Sequence, residues 1–449
     1  MQTSARWLLI VATLITVGIA IQQDYRVTLK LQDPLGGHVN DFDRWMIMTP
    51  AFVQDKAGYV DDRLPTPPLT LMVLAPFTAL SRPMAQFVWV CVKLPLAGLV
   101  LMLTIGIVRR SGGRLTPQAM ALIVAGWWLP VVLDMQEGQT NFVALLPLVA
   151  GLYVAQEDSP AFDALAGLLI GLAIAIKVTP VVFALYFLWK GRWRVTLTAA
   201  ASLAIWSLAV PGLVFGFPRN LHWLGQWVQI MIVPYVTTGR VVYAMSQSFG
   251  SFALRLLSSV PAFETARGGV NEAHYMNLFA LDQAAVFRIV RAVMVGVGVA
   301  GLWWTRRRLE TLRCRSYLLE IGAVAAFMLW FSERTWVHHY VSFVLTLAAA
   351  GAVLSDEAEH ERTRRIVRRA LLLFAAATFF TSDAGIVFGF DGVDWTKSAG
   401  VFLWASAGLT IAAMFPWQRE PRRSAVAEAV PALRYWSSAI LSPSPKPEE

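Results

Sequence analysis

The stretch ALAGLLIGLAIAIKVTPVVFALYFLW, from Ala164 to Trp189, decides the fold class of this chain. It is apolar except for Lys177, and an ammonium group inside such a run is costly unless water or an anion reaches it. Pro180 follows and cannot donate a backbone hydrogen bond, so the run predicts two short helices that meet at a break. A lysine at such a break points into a protein cavity. The stretch therefore predicts a membrane protein that handles a negatively charged lipid or solute.

The composition of the whole chain supports a membrane location. Of its 449 residues, 56% are hydrophobic and 15% are charged, and the mean hydropathy is +0.54. A soluble domain of this length carries about a quarter charged residues. The net charge of +9 comes from basic residues clustered in short loops, as the positive-inside rule produces. We therefore expect no nucleic-acid partner, and Cys91 and Cys314 imply neither a disulfide nor a metal framework.

Apolar runs alternate with basic loops along the chain. The runs fall at about 7–22, 67–80, 84–108, 118–133, 141–155, 163–189, 193–217, 280–304, 316–331, 336–354, 368–390 and 398–416. The basic loops, expected to be cytoplasmic, are 109–114, 190–194, 306–315 and 362–369. Several runs are shorter than the roughly 20 residues needed to cross the hydrocarbon, so broken, tilted or buried helices are expected.

This pattern predicts an all-α, polytopic membrane protein of about 11–14 membrane segments with both ends in the cytoplasm. Residues 1–416 form the membrane domain, and its first run is an uncleaved helix because no small-residue cleavage site follows it. Residues 417–449 are expected to be a disordered cytoplasmic tail. The outer loop 24–66 and the outer segment 218–279 then form one face. A second potential break at Lys93–Pro95 leaves the number of crossings open.

Two carboxylates lie in the first outer loop, which begins soon after the first predicted helix. Asp41 and Asp43 stand at the membrane–water boundary, where a carboxylate can deprotonate a hydroxyl as a general base. The alternative is that residues 41–57 form an amphipathic interfacial helix whose aspartates face water. Residue type alone favours this alternative.

Amides and an arginine mark two further outer segments. Gln139 and Asn141 lie in a turn between two spans, where amides hydrogen-bond to sugar hydroxyls but also cap helices. Arg240 precedes the segment Ser246–Phe249, which contains Gln247, and an arginine near the outer leaflet can pair with a lipid phosphate. Contact with lipid headgroups, or a structural ion pair with Glu264 or Glu272, is an equal alternative for this arginine.

Adjacent histidines open a late span in the segment Glu333–Tyr340. His338 and His339 point about 100° apart on an α-helix, so one is expected to face a cavity while the other packs. Their spacing does not suit two ligands of one zinc ion. A cavity-facing histidine can donate a hydrogen bond to a phosphate, although a lone interfacial histidine is more often structural.

The order of these motifs resembles glycosyltransferase family 87, membrane enzymes of the GT-C fold that include bacterial α-1,2-mannosyltransferases. The similarity runs over about residues 38–354. The motifs are D-F-x-x-W, an outer tyrosine (Tyr59) followed by P-P-L, G-Q-x-N, A-G-L-L-x-G-L-A-x-A-x-K-x-x-P with R-W-R, S-Q-S-x-x-G and W-x-H-H-Y. The family usually has Tyr-Pro-Pro where this chain has Thr66-Pro67-Pro68. It usually has Asn-Gln-Ser at Ser246–Ser248, which bears on sugar specificity more than on reaction class.

The resemblance implies an inverting transfer of a hexose, most often mannose, from a polyprenyl-phosphate sugar to a glycan or lipid-linked acceptor. Such enzymes work at the outer, periplasmic face of the bacterial inner membrane. Carried over by position, Asp41 is the general base, with Asp43 as the fallback. Lys177 matches the family's intramembrane lysine, and His338 or His339 its late histidine near the donor phosphate. Arg240 is a further candidate for that phosphate, from residue type alone.

The remaining expectations complete this interpretation. Gln139, Asn141, Gln247 and Tyr59 are the candidates for substrate contacts. No cofactor is expected, although some GT-C relatives use a metal, which Asp41 with Asp43 could bind.

Two rival functions stay open. Lys177 with broken helices also suits a transporter or flippase of an anionic lipid or solute, for which inverted repeats would be expected. An O-antigen-ligase-like transferase would depend on Arg240 with His338 more than on Asp41.

Overall fold

The computed structural model describes residues 40–54, 58–241, 245–267, 270–381 and 389–414. The first predicted helix, at 7–22, and the predicted tail, 417–449, lie outside these residues. The described part is almost entirely helical, which confirms the all-α prediction. One antiparallel hairpin is the exception, with β1 at Phe263–Arg267 and β2 at Val270–His274.

The helices follow one another with short connections. The first nine are α1 Asp41–Val53, α2 Leu69–Leu74, α3 Arg82–Arg110, α4 Pro117–Glu137, α5 Asn141–Val154, α6 Pro160–Ile176, α7 Val181–Trp189, α8 Trp193–Ala204 and α9 Val210–Phe215. The others are α10 Phe217–Trp227, α11 Val233–Thr238, α12 Phe249–Leu257, α13 Gln283–Trp304, α14 Arg315–Trp330, α15 Val344–Ser355, α16 Glu361–Phe380, α17 Gly389–Ser398 and α18 Val401–Met414. The π-helical turns Ile205–Ala209 and Val228–Ile232 join α8 to α9 and α10 to α11, and the 3₁₀ segments are Ala75–Ala79, Ala155–Glu157 and Val337–Phe343.

Five described helices are long and apolar enough to cross a membrane, and a pair bent by 48° at Gly392–Ser398 and Val401–Met414 makes a sixth. These helices are Arg82–Arg110, Pro117–Glu137, Trp193–Phe215, Gln283–Trp304 and Val337–Ser355. The count falls below the 11–14 predicted segments because other apolar helices are short. Three such helices are Leu69–Ala79, Asn141–Glu157 and Pro160–Ile176.

The two candidate breaks behave differently. Helix α6 ends at Ile176 and α7 begins at Val181, with Lys177 extended between them (φ −147°, ψ 123°). This confirms the predicted break in the run 163–189. Pro95 instead lies inside α3, which continues unbroken for 29 residues. A proline inside a helix leaves the carbonyl four residues before it without its usual hydrogen bond. A membrane helix tolerates this where neighbouring groups bind that carbonyl.

The helices differ sharply in how much of their surface the protein covers. In the apolar window of Val337–Ser355, 94% of residues are buried, whereas in that of α13 only 6% are. The span Val337–Ser355 is therefore central, and its α15 part packs against α4, α14 and α16. Exposed apolar side chains on α13, such as Val295 and Trp303, are suited to contact with lipid chains.

Candidate functional site

A cavity of about 760 Å³ lies where α1, the α4–α5 turn, the α6–α7 break, α11 and the segment before α15 converge. Its polar wall consists of charged, amide and imidazole side chains: Asp41, Arg44, Asp62, Arg63, Glu137, Gln139, Lys177, Glu333, Arg334, His338, His339 and Lys397. Its apolar wall includes Leu133, Val178, Val181, Val182, Trp227, Met231, Ile232, Tyr235, Met294, Phe327, Met328 and Phe331. The cavity can therefore take a ligand with one charged and one apolar part.

Asp41 reaches this cavity because of how α1 begins. The Asn40 side chain caps the helix by accepting a hydrogen bond from the Asp43 N–H at 2.9 Å. The first-turn carboxylate of Asp41 then lies near the positive end of the helix dipole. Arg44 and Gln139 both donate hydrogen bonds to it.

Asp43, two residues later, is held by a different partner. Its side chain is 2% exposed and forms a bidentate ion pair with Arg82, at 2.7 Å from Nε and 2.6 Å from an Nη. It is not among the side chains that line the cavity. A helix does form in the segment 41–57 of the alternative interpretation, described as α1 over Asp41–Val53, but Asp43 does not face water.

The turn between α4 and α5 carries Gln139 and Asn141 to the site. Gly138 ends α4 with φ +65°, and a Cβ there would lie 2.2 Å from the Cβ of Phe42, so only glycine fits. Trp89 Nε1 donates to the Gly138 carbonyl at 2.7 Å and fixes the turn. Gln139 lines the main cavity, and Asn141 lines a small adjoining pocket together with Lys177 and His339.

Lys177 lies in the cavity wall at the α6–α7 break. Its ammonium donates a hydrogen bond to Asn141 Oδ1. Asp41 and Lys177 line the same cavity, which is the juxtaposition that the sequence left open.

Both histidines line the cavity, so the expectation that only one faces it is wrong. They lie on the 3₁₀ segment Val337–Phe343, and their rings meet edge to face at 4.6 Å, so both rings border the cavity although adjacent side chains point in different directions. His339 Nδ1 accepts a hydrogen bond from the Trp336 N–H at 3.2 Å, which leaves Nε2 as the donor in the neutral ring. His338 Nε2 is buried without a hydrogen-bond partner among the described residues.

Two candidate residues, Tyr59 and Gln247, lie behind the cavity wall and contact residues that line it. The buried Tyr59 hydroxyl donates to the carbonyl of Thr66 at 2.8 Å. The Gln247 amide donates to the carbonyls of Met245 and Lys397, both at 2.7 Å.

Arg240 forms a structural ion pair, as the alternative interpretation expected, but with a partner that the sequence did not indicate. It is exposed and forms an ion pair with Asp62 at 3.2 Å, and the carboxyl of Asp62 also pairs with Arg334 at 3.0 Å. Asp62 and Arg334 line the cavity, whereas Arg240 is not among its lining residues.

Burial shifts the pKa of one carboxyl, that of Glu333, in the loop that follows α14. Burial raises the pKa of Glu333, and the neighbouring Arg334 guanidinium partly opposes this shift. Arg334 donates to the Glu333 carboxyl at 3.2 Å.

Comparison with known proteins identifies the family. The family model of glycosyltransferase family 87 matches residues 66–332, more than half of the chain. The chain belongs to glycosyltransferase family 87. This confirms the resemblance drawn from the motifs.

Two curated relatives are similar to this family member over part of its length. Both are polyprenol-phosphate-mannose-dependent alpha-(1-2)-phosphatidylinositol mannoside mannosyltransferases. The protein of Mycobacterium tuberculosis is 28% identical over 288 residues, which are 61% of this chain and 58% of the relative. That of Mycolicibacterium smegmatis is 27% identical over 319 residues, 66% of this chain and 63% of the relative. The chain thus spans about three fifths of the length of the curated relatives it matches.

Solved membrane proteins give weaker matches. ArnT from Cupriavidus metallidurans bound to undecaprenyl phosphate matches with a TM-score of 0.36 and 14% identity, over 90% of this chain and 76% of that one. The oligosaccharyltransferase of Archaeoglobus fulgidus matches with a TM-score of 0.32 and 12% identity, over 97% of this chain and 60% of that one.

Several residues that line the cavity of this family 87 chain were not predicted from the sequence. Arg334 stands four residues before His338, and that proximity was the available signal. Asp62 and Lys397 come from distant parts of the sequence, and only tertiary folding shows their place in the wall. Within the described ranges, no group of three or more His, Cys, Asp or Glu side chains is arranged to hold a metal ion.

Proposed function

We propose that this chain is an inverting glycosyltransferase that moves a hexose, with mannose as the first candidate, from a polyprenyl-phosphate sugar to a hydroxyl of a glycan or lipid-linked acceptor. One observation carries the proposal. The Asp41 carboxylate and the cations Lys177 and Arg334 line a single cavity that also has an apolar wall.

The reaction needs a base on one side of the sugar and cations on the other. The acceptor oxygen attacks the anomeric carbon of the sugar while the bond from that carbon to the phosphate oxygen breaks. The electron pair of the broken bond stays with the phosphate oxygen, which releases polyprenyl phosphate. The hydroxyl proton passes to Asp41, and attack opposite the leaving group inverts the anomeric centre.

Preorganised cations lower the barrier of this step. Negative charge grows on the phosphate as the glycosidic bond breaks, and fixed positive groups stabilise it most in a site shielded from water. Lys177 supplies such a charge, and Arg334 adds one that it shares with Asp62 and Glu333. His339, whose Nε2 carries the proton in the neutral ring, supplies a hydrogen-bond donor. The roles of Arg240, Gln247 and Tyr59 would then be indirect, through Asp62, Lys397 and Thr66.

The apolar wall suits the lipid part of the donor. An isoprenoid chain needs a path from the bilayer to the cavity, and Met294 of the lipid-exposed α13 lies in the wall. We place the protein in a bacterial inner membrane with the cavity on the periplasmic side, because the basic loops gather at the other ends of the spans. Mannose is the first candidate for the transferred sugar because both curated relatives are named for a polyprenol-phosphate-mannose donor. The phosphate contacts require no metal on this scheme.

The test is donor consumption by the purified protein in lipid. It is incubated with polyprenyl-phosphate mannose, glucose or arabinose, a mixed glycan and glycolipid acceptor pool, and with or without a chelator. We expect the mannose donor to be consumed, at the same rate with and without the chelator. Asp41→Asn should lower turnover by about 10²–10⁴-fold, while donor binding persists.

The control is Asp61→Asn. Asp61 is a carboxylate in the same outer segment that pairs with Arg63 and is not among the cavity-lining residues. It should retain turnover. Wild-type turnover in Asp41→Asn would disprove the base assignment. Translocation of an intact anionic lipid without sugar transfer would favour the transporter instead.

A further inference from the structure

A line of four polar side chains runs from the interior of the helix bundle to the cavity wall. Lys93 Nζ donates to Asp134 Oδ1 at 3.0 Å and to the Asp134 carbonyl at 2.6 Å. Asn141 Nδ2 donates to the other oxygen of that carboxylate, Asp134 Oδ2, at 2.8 Å. Lys177 donates to Asn141 Oδ1. Each group is thus linked to the next.

The inner half of this line is fully buried. Lys93 on α3 and Asp134 on α4 both have 0% exposed side chains. A buried ion pair is costly to desolvate, and apolar residues of similar volume often replace such a pair without loss of stability. Stability alone is therefore a poor reason for this pair.

The amide of Asn141 can adopt only one orientation in this line. Its NH₂ group faces two acceptors, the Asp134 carboxylate and the His338 carbonyl at 3.4 Å, and its oxygen faces the Lys177 ammonium. A flipped amide would set NH₂ against the ammonium and its oxygen against the carboxylate. The Asp134 carboxylate, fixed by Lys93, therefore fixes the direction of the Asn141 oxygen.

The order of charges along the line has an electrostatic consequence. The Asp134 charge is matched by Lys93 rather than by Lys177, and the neutral amide stands between Asp134 and Lys177. Direct contact with a carboxylate would cancel the charge of Lys177 and fix it as a structural pair. An amide holds the ammonium by a hydrogen bond and leaves its positive charge in the wall.

We propose that Asn141 is a positioning residue, which aims Lys177 at the cavity without neutralising it, and that Lys93 and Asp134 set the orientation of Asn141. This inference rests on the proposed function, because it takes Lys177 as a contact of the donor phosphate. It assigns Asn141 an indirect role instead of a sugar contact.

The test is Asn141→Asp, which keeps the size of the side chain and places a carboxylate against Lys177. We expect the Kd for polyprenyl phosphate, measured with protein in lipid nanodiscs, to rise about tenfold or more. The KM for the donor should rise in parallel, while the KM for the acceptor stays unchanged. If Asn141→Asp does not give a monodisperse protein, Asn141→Ala tests the same contact and should raise the Kd about threefold or more.

A double-mutant cycle separates this role from a general structural one. In a Lys177→Met background, the Asn141 substitution should cause no further loss of affinity, since its effect passes through Lys177. Asn220 provides the matched control. It is a fully buried amide on α10 that donates to the carbonyls of Ser207 and Leu208 and is not among the cavity-lining residues. Asn220→Asp should lower thermal stability and keep the Kd.

The outcomes distinguish the inference from the proposed function. An unchanged Kd in the Asn141 variant, or an equal loss with and without Lys177, overturns the positioning role alone. A wild-type Kd in Lys177→Met overturns the phosphate contact and this inference with it.

Discussion

Lys177 and Lys190 flank the same helix, α7, but their ammonium groups are held in opposite ways. Lys190, 2% exposed, donates to the carbonyls of Thr305 and Arg307 at 2.6 and 2.8 Å and to the Glu320 carboxylate at 2.9 Å. These three contacts use all the donors of an ammonium group. Lys177 faces the cavity, and among the described residues its acceptor is the neutral amide of Asn141.

This difference separates a structural charge from one that is ready to bind. A saturated ammonium paired with a carboxylate has nothing to offer a ligand, and its removal leaves the partner charge buried. An ammonium with spare donors at a cavity wall is held at a cost that an incoming anion can offset. Burial of a lysine in a membrane helix does not by itself distinguish the two, but the count and charge of its acceptors do.

The largest effect is expected from Lys190→Met. Glu320 would keep the hydroxyl of Tyr186, at 2.7 Å, but lose its cation. Breaking a buried pair on one side costs about 3–5 kcal/mol of folding free energy. The thermal unfolding midpoint in detergent or lipid should fall by several degrees, while the protein that remains folded keeps the wild-type Kd for polyprenyl phosphate.

Replacing both partners, as Lys190→Met with Glu320→Gln, should restore part of the stability. A lower affinity at unchanged stability would contradict the structural role.

The converse is expected from Lys177→Met, a substitution of the same size at the other end of α7. Loss of a hydrogen-bonded charge in a binding site costs about 1.5–3 kcal/mol, which is at least tenfold in affinity for polyprenyl phosphate. The unfolding midpoint should stay close to that of the wild type, because no carboxylate loses a direct partner. The comparison fails if Lys177→Met unfolds the protein as readily as Lys190→Met does.

The sequence predicts one half of this contrast better than the other. Lys177 stands alone in an apolar run before Pro180, and that pattern is enough to predict a helix break and a cavity-facing cation. Lys190 lies in a basic loop, and its partner Glu320 is 130 residues away, inside an apolar helix. Pairing over that distance follows from helix packing, which a single sequence does not encode in any local pattern.

The same limit applies within the candidate site. Asp41 and Asp43 are identical in type and two residues apart. Their environments differ because Arg82 pairs with Asp43, whereas Arg44 and Gln139 bind Asp41. The sequence predicted one cavity-facing histidine, whereas both border the cavity, whose outline is set by the packing of the surrounding elements. Lys397 and Asp62 reach the cavity wall only through the packing of distant segments.

The smallest effect is expected at Glu333, which combines features of both lysines, since it is paired with Arg334 and also lines the cavity. Burial raises its pKa above the usual 4.5, so the folded protein holds a proton that the unfolded chain has already lost. The contribution of Glu333 to folding stability is then greatest below pH 4.5 and declines as the pH rises through the shifted pKa, because the unfolded state binds fewer protons there. Glu333→Gln removes this decline, so the unfolding midpoint of the variant should gain on that of the wild type as the pH rises above 4.5. Glu264→Gln, at an exposed position on β1, is the control and should follow the wild-type curve. A Glu333→Gln curve parallel to that of the wild type would mean that Arg334 fully compensates burial, and Glu333 would then be a closed pair like that of Lys190.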